Sequence, residues 1–169
     1  MNDSDLSIKI NLNKEYWSQY EGTLHFVPAN DSIREKSYDI TITVINKSLR
    51  VISFWTMSTA WFENFFINNE YIHYYLSGSI DHNFPHVVKI KSNDSLEFKI
   101  TLAREISYDN PDKNSIGNQR VGKLVPETRV GLLFIDADKY QQTVDYDMIM
   151  RDRSKWNKFI WSNALNLNK

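Results

Sequence analysis

The sequence contains no cysteine, and this absence excludes several kinds of chemistry at once. Disulfides, thiolate nucleophiles and cysteine-based zinc or iron–sulfur sites all require that residue. The chain also lacks an excess of either charge, since 20 Lys and Arg face 21 Asp and Glu. A net charge of -1 provides no overall field that would attract nucleic acid or an anionic membrane. We therefore expect no nucleic-acid partner.

Long apolar runs are missing as well, so we expect no membrane span. The first five residues are polar and acidic, with no apolar stretch behind them, which is not typical of a signal peptide. We expect a cytoplasmic protein as the sequence is written, or an exported bacterial one if a signal peptide was trimmed away.

Recognisable catalytic motifs are absent too. The sequence has no G-x-S-x-G nucleophile elbow and no glycine-rich phosphate loop, which argues against nucleotide chemistry. Carboxylates are numerous, but nothing in the sequence selects a pair at the separation that glycoside hydrolysis needs. We therefore expect a protein that is not an enzyme.

What the chain does contain is alternation of apolar and polar residues. The clearest stretches are residues 6–12, 37–46 and 95–102. A period of two is typical of half-buried antiparallel strands. Further strands are predicted at 23–27, 49–57, 70–76, 86–91 and 159–167, and the apolar run 130–135 is typical of a central strand buried on both faces. The sequence thus predicts an all-β protein.

The short connections favour an antiparallel β-sandwich. We interpret residues 46–48 as an arch from one sheet to the other, which puts Trp55 on the third strand, where immunoglobulin-like sandwiches commonly hold a buried Trp. Residues 92–94 predict a hairpin turn. A closing strand at 159–167, favoured over a helix beginning at Ser154, would complete a Greek key.

This strand sequence, from Tyr38 onward, resembles at fold level the immunoglobulin-like sandwiches common in bacterial envelope and accessory proteins. Jelly rolls and lipocalin-like barrels are alternatives, because period-two patterning does not distinguish open from closed β architectures. The length of 169 residues suits one domain. We predict a long polar loop around 103–128 and a charged connection around 136–158, with one helical turn near 146–151.

Aromatic residues are concentrated between positions 54 and 75. The spacing of Trp61, Phe62, Phe65 and Phe66 predicts a short helix or an aromatic loop across one end of the sandwich. Rings that face outward there would stack on sugars, and Trp61 and Tyr74 are the candidate ligand-binding residues. Burial of most of these rings is favoured, because it stabilises by about 1.5–3 kcal/mol each.

Acidic residues cluster in two predicted loops. Asp109 and Asp112 lie in the first, and Asp136 and Asp138 in the second. Together they are candidate ligands for Ca²⁺, although Asp is also an ordinary turn residue. His82 and His86 are spaced four apart, but the proline between them excludes a regular helix, so a surface turn is favoured over a metal site.

These observations favour a non-enzymatic module that binds or assembles with a protein partner through a sheet face or the end loops. A carbohydrate-binding module, with an oligosaccharide on exposed aromatic rings, is the alternative. A hydrolase with a carboxylate or histidine site is the second alternative.

Overall fold

The computed structural model describes residues 5–21, 32–69, 72–75, 84–104, 106–108, 119–121, 127–152 and 159–167. Within these ranges the protein consists almost entirely of strands that pair antiparallel, which confirms the all-β prediction. The strands are β1 (Leu6–Glu21), β2 (Ser32–Asn46), β3 (Ile52–Met57), β4 (Phe65–Ile67), β5 (Ile72–Tyr75), β6 (Pro85–Ile90), β7 (Ser95–Arg104), β8 (Ile106–Tyr108), β9 (Gln119–Val121), β10 (Val130–Leu133) and β11 (Phe159–Trp161). A 3-10 helix covers Trp61–Asn64, and the α-helix α1 covers Thr143–Arg151.

The first sheet has the strand order β1-β2-β7-β5. Its register places Ile10 opposite Ile42 and Ile42 opposite Phe98, so alternate side chains of three strands share one face. Ile10 and Ile42 are fully buried on that face. Strand β1 is much longer than the predicted 6–12, because its pairing with β2 continues past the end of the β2–β7 ladder to Glu21.

The second sheet is centred on β10, which pairs with β11 and β4. Strands β3 and β6 pair with each other. They belong to the same layer, because β3 also hydrogen-bonds to the segment that follows β10. The amide of Trp55 donates to the carbonyl of Ile135 at 2.9 Å, and the amide of Ala137 donates to the carbonyl of Ser53 at 3.1 Å. Because β2 belongs to the first sheet and β3 to the second, the predicted arch at 46–48 is confirmed.

One hydrophobic core lies between the two sheets. Ile40 and Leu102 of the first sheet belong to the same buried cluster as Phe54, Phe65 and Leu132 of the second. Fully burying side chains of this size stabilises the fold by about 1.5–3 kcal/mol each. This packing of sheet on sheet fits the predicted β-sandwich.

Strand β10 is buried on both faces, as its continuous apolar sequence predicts. Val130 and Leu132 face the core between the sheets. Leu133 and the following Ile135 belong to a second cluster, together with Tyr146 and Ile149 of α1. The helix therefore covers part of the outer face of the second sheet.

Trp55 lies on the third strand and is 7% exposed, but its ring packs in the cluster beneath α1 and not between the sheets. Successive side chains of a strand point to opposite faces, and on β3 the inward position is taken by Phe54. The indole N–H of Trp55 donates to the carbonyl of Tyr140. Trp55 is therefore buried on the third strand, as the sequence predicts, on the face of the second sheet that α1 covers.

The side chain of Asn46 connects two arches between the sheets, one from β2 to β3 and one from β6 to β7. The second arch was predicted to be a hairpin. Its Nδ2 donates to the carbonyls of Arg50, Ile90 and Lys91 at 2.7, 3.1 and 2.9 Å. These bonds hold the chain after β2 against the chain between β6 and β7. The turn at 92–94 is present, but β6 pairs with β3 and β7 pairs with β2 and β5. The predicted hairpin is therefore an arch between the sheets.

Several elements differ from prediction in extent. The closing strand predicted at 159–167 is reduced to β11. After Trp161 the backbone amide of Val130 donates to the Ser162 hydroxyl and not to a backbone carbonyl, and an isolated bridge follows at Leu165. The long polar loop contains the paired strands β8 and β9. The predicted helical turn is the nine-residue α1. The strand predicted at 23–27 lies outside the described residues.

Among the helices that the structure describes, none combines the length and the apolar composition needed to cross a bilayer.

Candidate functional site

A pocket of about 400 Å³ opens between the two sheets, where the 3-10 helix and β4 lie near strand β5. The helix and β4 contribute Phe62, Glu63, Phe65, Phe66 and Ile67, and the following segment and β5 contribute Asn69, Ile72, His73 and Tyr74. Its size falls within the range of small-ligand pockets, roughly 300–1,000 Å³. Four of the nine lining residues are aromatic. The pocket is therefore a candidate small-ligand site in the described part of the chain.

The 3-10 helix is held in place by the buried side chain of Asn64. Its Nδ2 donates to the carbonyls of Trp55 and Leu133 at 3.0 and 3.3 Å, and its Oδ1 accepts the hydroxyl of Tyr146 at 3.0 Å. These bonds tie the helix to β3, β10 and α1. Because buried amides must be hydrogen-bonded, Asn64 fixes the aromatic side of the pocket in position.

Tyr74, a predicted ligand-binding residue, lines the pocket from β5, where it pairs with Leu102 of β7. Its hydroxyl donates to the carbonyl of Phe65 at 2.9 Å, which connects β5 to β4 across the open side of the sandwich. Burial raises the pKa of this phenol far above its usual value. Its ring centroid lies 5.5 Å from that of Phe62. Tyr74 therefore forms a fixed wall of the pocket.

Trp61, the other predicted ligand-binding residue, lies behind this wall. Its ring centroid is 4.9 Å from that of Phe98, 5.7 Å from that of Phe65 and 6.1 Å from that of Phe62. It packs against the core and is only partly exposed. The structure thus brings Trp61 and Tyr74 to the same aromatic cluster, with Trp61 supporting the rings that line the pocket.

Two of the nine described residues that line the pocket have ionisable acid or base groups other than the Tyr74 phenol. Among these nine, Glu63 is the one carboxylate, His73 adds an imidazole, and no Lys or Arg is present. The neutral polar groups already have partners. Asn69 donates to the hydroxyl of Thr128 at 3.1 Å, and Tyr74 donates to the carbonyl of Phe65. The pocket therefore combines apolar ring faces with one negative group.

The predicted calcium ligands are only partly described. Asp109 and Asp112 lie outside the described residues. Asp136 and Asp138 belong to one turn, in which the amide of Asp138 donates to Oδ1 of Asp136 at 2.9 Å. Among the described residues, no group of three or more His, Asp or Glu side chains is arranged to hold a metal ion. In this turn, the Asp136 carboxylate accepts a backbone bond, as turn aspartates usually do.

A second aromatic surface, not predicted from the sequence, lies on the outer face of the second sheet. Phe66 and Trp161 occupy the positions on either side of Gly131, and Phe159 contacts both rings, at centroid distances of 4.7 and 5.7 Å. Trp161 is 43% exposed. We call Phe66, Phe159 and Trp161 the aromatic face. The sequence offered two separate signals, a glycine inside the apolar run 130–135 and the period-two pair Phe159 and Trp161, but not their pairing.

Gly131 makes room for this surface. A Cβ atom there would lie 2.8 Å from Cε3 of Trp161, closer than such atoms approach in real structures. The indole therefore lies directly over the backbone of β10. Sequence pattern alone could not show which side chain uses the space above a glycine.

Comparison with protein-family models finds no match, and no curated protein matches the chain. Among solved structures, the chain is similar to the crystal structure of FixG-related protein from Vibrio parahaemolyticus, with 14% sequence identity and a TM-score of 0.32. The similarity covers 80% of this chain and 85% of that chain. A likeness of this degree identifies neither a family nor a function.

Proposed function

We propose that the protein is a non-enzymatic binding module that contacts a protein partner through its aromatic face. The observation that carries this proposal is the exposed indole of Trp161, seated on Gly131 and in contact with Phe159. Tryptophan is enriched among the residues that dominate the energy of protein interfaces. A ring held against a strand backbone loses little conformational freedom on binding, which favours affinity.

The surroundings of Trp161 support the same conclusion. Leu133 and Ile135, further along the same outer face, are covered by α1 and buried. Trp161 lies two residues after Phe159 on β11, which is an outer strand of the second sheet. Its side chain keeps much of its surface accessible to solvent. Large apolar side chains grouped on one exposed face are typical of interaction surfaces.

The fold that we propose to carry this surface is an immunoglobulin-like Greek key. The strand order β1-β2-β7-β5 in one sheet and the central position of β10 in the other support it. The two arches that Asn46 connects, one before β3 and one before β7, support the crossing of the chain between the sheets. A crystal structure would test this arrangement directly.

A carbohydrate-binding module is the second candidate, because exposed rings also stack on sugars. Stacking on an extended sugar chain favours two or more coplanar rings. Phe159 and Trp161 are inclined by 52°, and Phe66 and Phe159 by 58°. This inclination favours a protein partner over an oligosaccharide. A hydrolase is favoured less, because the described residues that line the pocket include one carboxylate, Glu63.

The experiment is a comparison of two tryptophan variants. Trp161→Ala removes the exposed ring of the aromatic face, and Trp17→Ala removes a ring that is 61% exposed on β1. Affinity capture with the wild-type chain, run in parallel with Trp161→Ala, would identify the partner in an extract of the source cells. The purified partner would then be titrated with the wild type and both variants by calorimetry.

We expect Trp161→Ala to weaken binding at least about tenfold, or about 1.4 kcal/mol, and Trp17→Ala to change it little. Equal affinity of all three proteins would contradict the proposal. An oligosaccharide panel titrated in parallel distinguishes the second candidate, which predicts a sugar ligand whose binding is lost in Trp161→Ala.

A further inference from the structure

The pocket between the sheets has a chemical character that the aromatic face does not share. Its walls include the rings of Phe62 and Tyr74, which meet at 49° with centroids 5.5 Å apart. Glu63, next to Phe62 in the 3-10 helix, brings a carboxylate to the same cavity. Two ring faces and one carboxylate are the groups that bind an organic cation.

We propose that this pocket binds an organic ammonium group, of the size of a trimethylammonium or a primary amine. The negative face of each aromatic ring attracts a cation, and the attraction is strongest when the site is shielded from water. The carboxylate of Glu63, which lines the same open pocket, would balance the charge of the ligand. The cavity of about 400 Å³ exceeds the volume of such a head group and leaves room for its substituent.

Other ligand classes fit the lining less well. An anion would find no Lys or Arg among the nine described residues that line the pocket. A sugar needs hydrogen-bonding groups, but the Tyr74 hydroxyl donates to the Phe65 carbonyl at 2.9 Å and the Asn69 amide donates to Thr128 at 3.1 Å. The Tyr74 bond would have to break before its one O–H could donate to a ligand, and one of the two amide hydrogens of Asn69 is already used, which costs binding energy. A cation uses the ring faces and the carboxylate without disturbing either bond.

This inference goes beyond the proposed function and does not depend on it. Trp161 and Phe159 carry the aromatic face and do not line the pocket, whereas Phe62 and Glu63 line the pocket and do not belong to the aromatic face. Variants at the two places therefore test the two proposals separately. Phe66 lies between them and is left unchanged in both experiments.

The test compares choline with 3,3-dimethylbutan-1-ol, a neutral molecule of nearly the same shape. Both would be titrated into the full chain at about pH 8, at which unperturbed imidazoles are neutral and carboxylates are charged. Binding would be followed by NMR as saturation transfer to the methyl groups and as shifts of the protein's aromatic resonances. We expect choline to bind more tightly than the alcohol by a factor of about 3 to 30.

Matched variants locate the binding. Phe62→Leu removes a ring and Glu63→Gln removes the charge, and each should weaken choline binding at least about threefold. Phe84→Leu and Glu97→Gln make the same changes outside the pocket, at an exposed position before β6 and on the exposed side of β7, and should leave choline binding unchanged. Unchanged melting temperatures of the pocket variants would show that the loss is not a loss of folding.

Three results would overturn the proposal. Equal affinities for choline and the alcohol would mean an apolar pocket without preference for charge. Equal choline binding by the wild type and both pocket variants would place the cation elsewhere on the protein. Failure of choline, trimethylamine and a primary alkylamine to bind at tens of millimolar would mean that the pocket is not an ammonium site.

Discussion

The side-chain amide of Asn163 pairs with the backbone of Ile10 as a neighbouring strand would. The amide of Ile10 donates to Asn163 Oδ1 at 2.9 Å, and Asn163 Nδ2 donates to the carbonyl of Ile10 at 3.0 Å. Strand β1 lies at the edge of the first sheet. An exposed strand edge is a site of unwanted pairing between chains, so Asn163 protects this edge at the centre of its apolar segment.

Replacing Asn163 should weaken this edge. Asn163→Ala leaves the amide and carbonyl of Ile10 without their side-chain partner, and we expect a loss of about 1–3 kcal/mol in the free energy of unfolding. Urea denaturation measures this loss, and hydrogen exchange at the Ile10 amide should accelerate. Asn11→Ala, at an exposed position one residue along β1, is the control and should change stability by less than about 0.5 kcal/mol. Equal losses in both variants would contradict the role of Asn163.

Asn46 should be among the most sensitive polar positions. Its side chain is fully buried and bonds three carbonyls, and its Oδ1 also accepts the amide and hydroxyl of Ser48 at 2.9 and 2.7 Å. Asn46→Ala leaves several of these groups unpaired in the interior, so we expect a loss of about 3 kcal/mol or more. The measurement is thermal and urea unfolding. A variant as stable as the wild type would mean that water replaces the amide at this arch.

Trp61 should contribute to stability. The sequence suggested an outward-facing ring that binds a ligand, but the ring packs on Phe65 and Phe98. Trp61→Ala should therefore cost about 2 kcal/mol, less than a fully buried Trp because this one is partly exposed. Trp161→Ala is the matched comparison in calorimetric unfolding and should cost less. The reverse order would mean that Trp61 is the surface ring.

Gly131 and Trp161 should be energetically coupled. A methyl group at position 131 would meet three atoms of the Trp161 indole at 2.8–3.0 Å, so Gly131→Ala must displace the ring. We expect it to cost about 1–3 kcal/mol in the wild type and much less in a Trp161→Leu background. A double-mutant cycle measured by urea unfolding gives the coupling. A cost that is the same in both backgrounds would show that the crowding comes from another atom.

Tyr74 should make the protein sensitive to alkaline pH. Its pKa in the folded state is raised by burial, whereas in the unfolded chain it is near the ordinary value of about 10. Above about pH 10 the unfolded state therefore loses the phenol proton while the folded state retains it. Stability falls by up to about 1.4 kcal/mol per pH unit from this group. Tyr74→Phe should remove that part of the slope in urea unfolding between about pH 9 and 11, and an unchanged slope would contradict it.

The sequence by itself determined where most strands lie. The alternation in residues 37–46 and 95–102 corresponds to β2 and β7, and the continuous apolar run at 130–135 corresponds to β10, buried on both faces. These patterns are local, because a strand buried on one face needs every second residue apolar and a strand buried on both faces needs nearly all of them. The all-β fold class followed from this alone.

Tertiary structure decided which strands pair and which rings are accessible. Nothing local distinguishes Trp61, which supports the core, from Trp161, which lies over a glycine of another strand. Phe62 and Tyr74 meet at the pocket because the Tyr74 hydroxyl on β5 donates to the Phe65 carbonyl on β4. Those two strands lie in different sheets. Exposure of a ring depends on what packs against it from distant parts of the chain. Period-two patterning does not contain that information, since it records the face of a strand and not the neighbours that cover it.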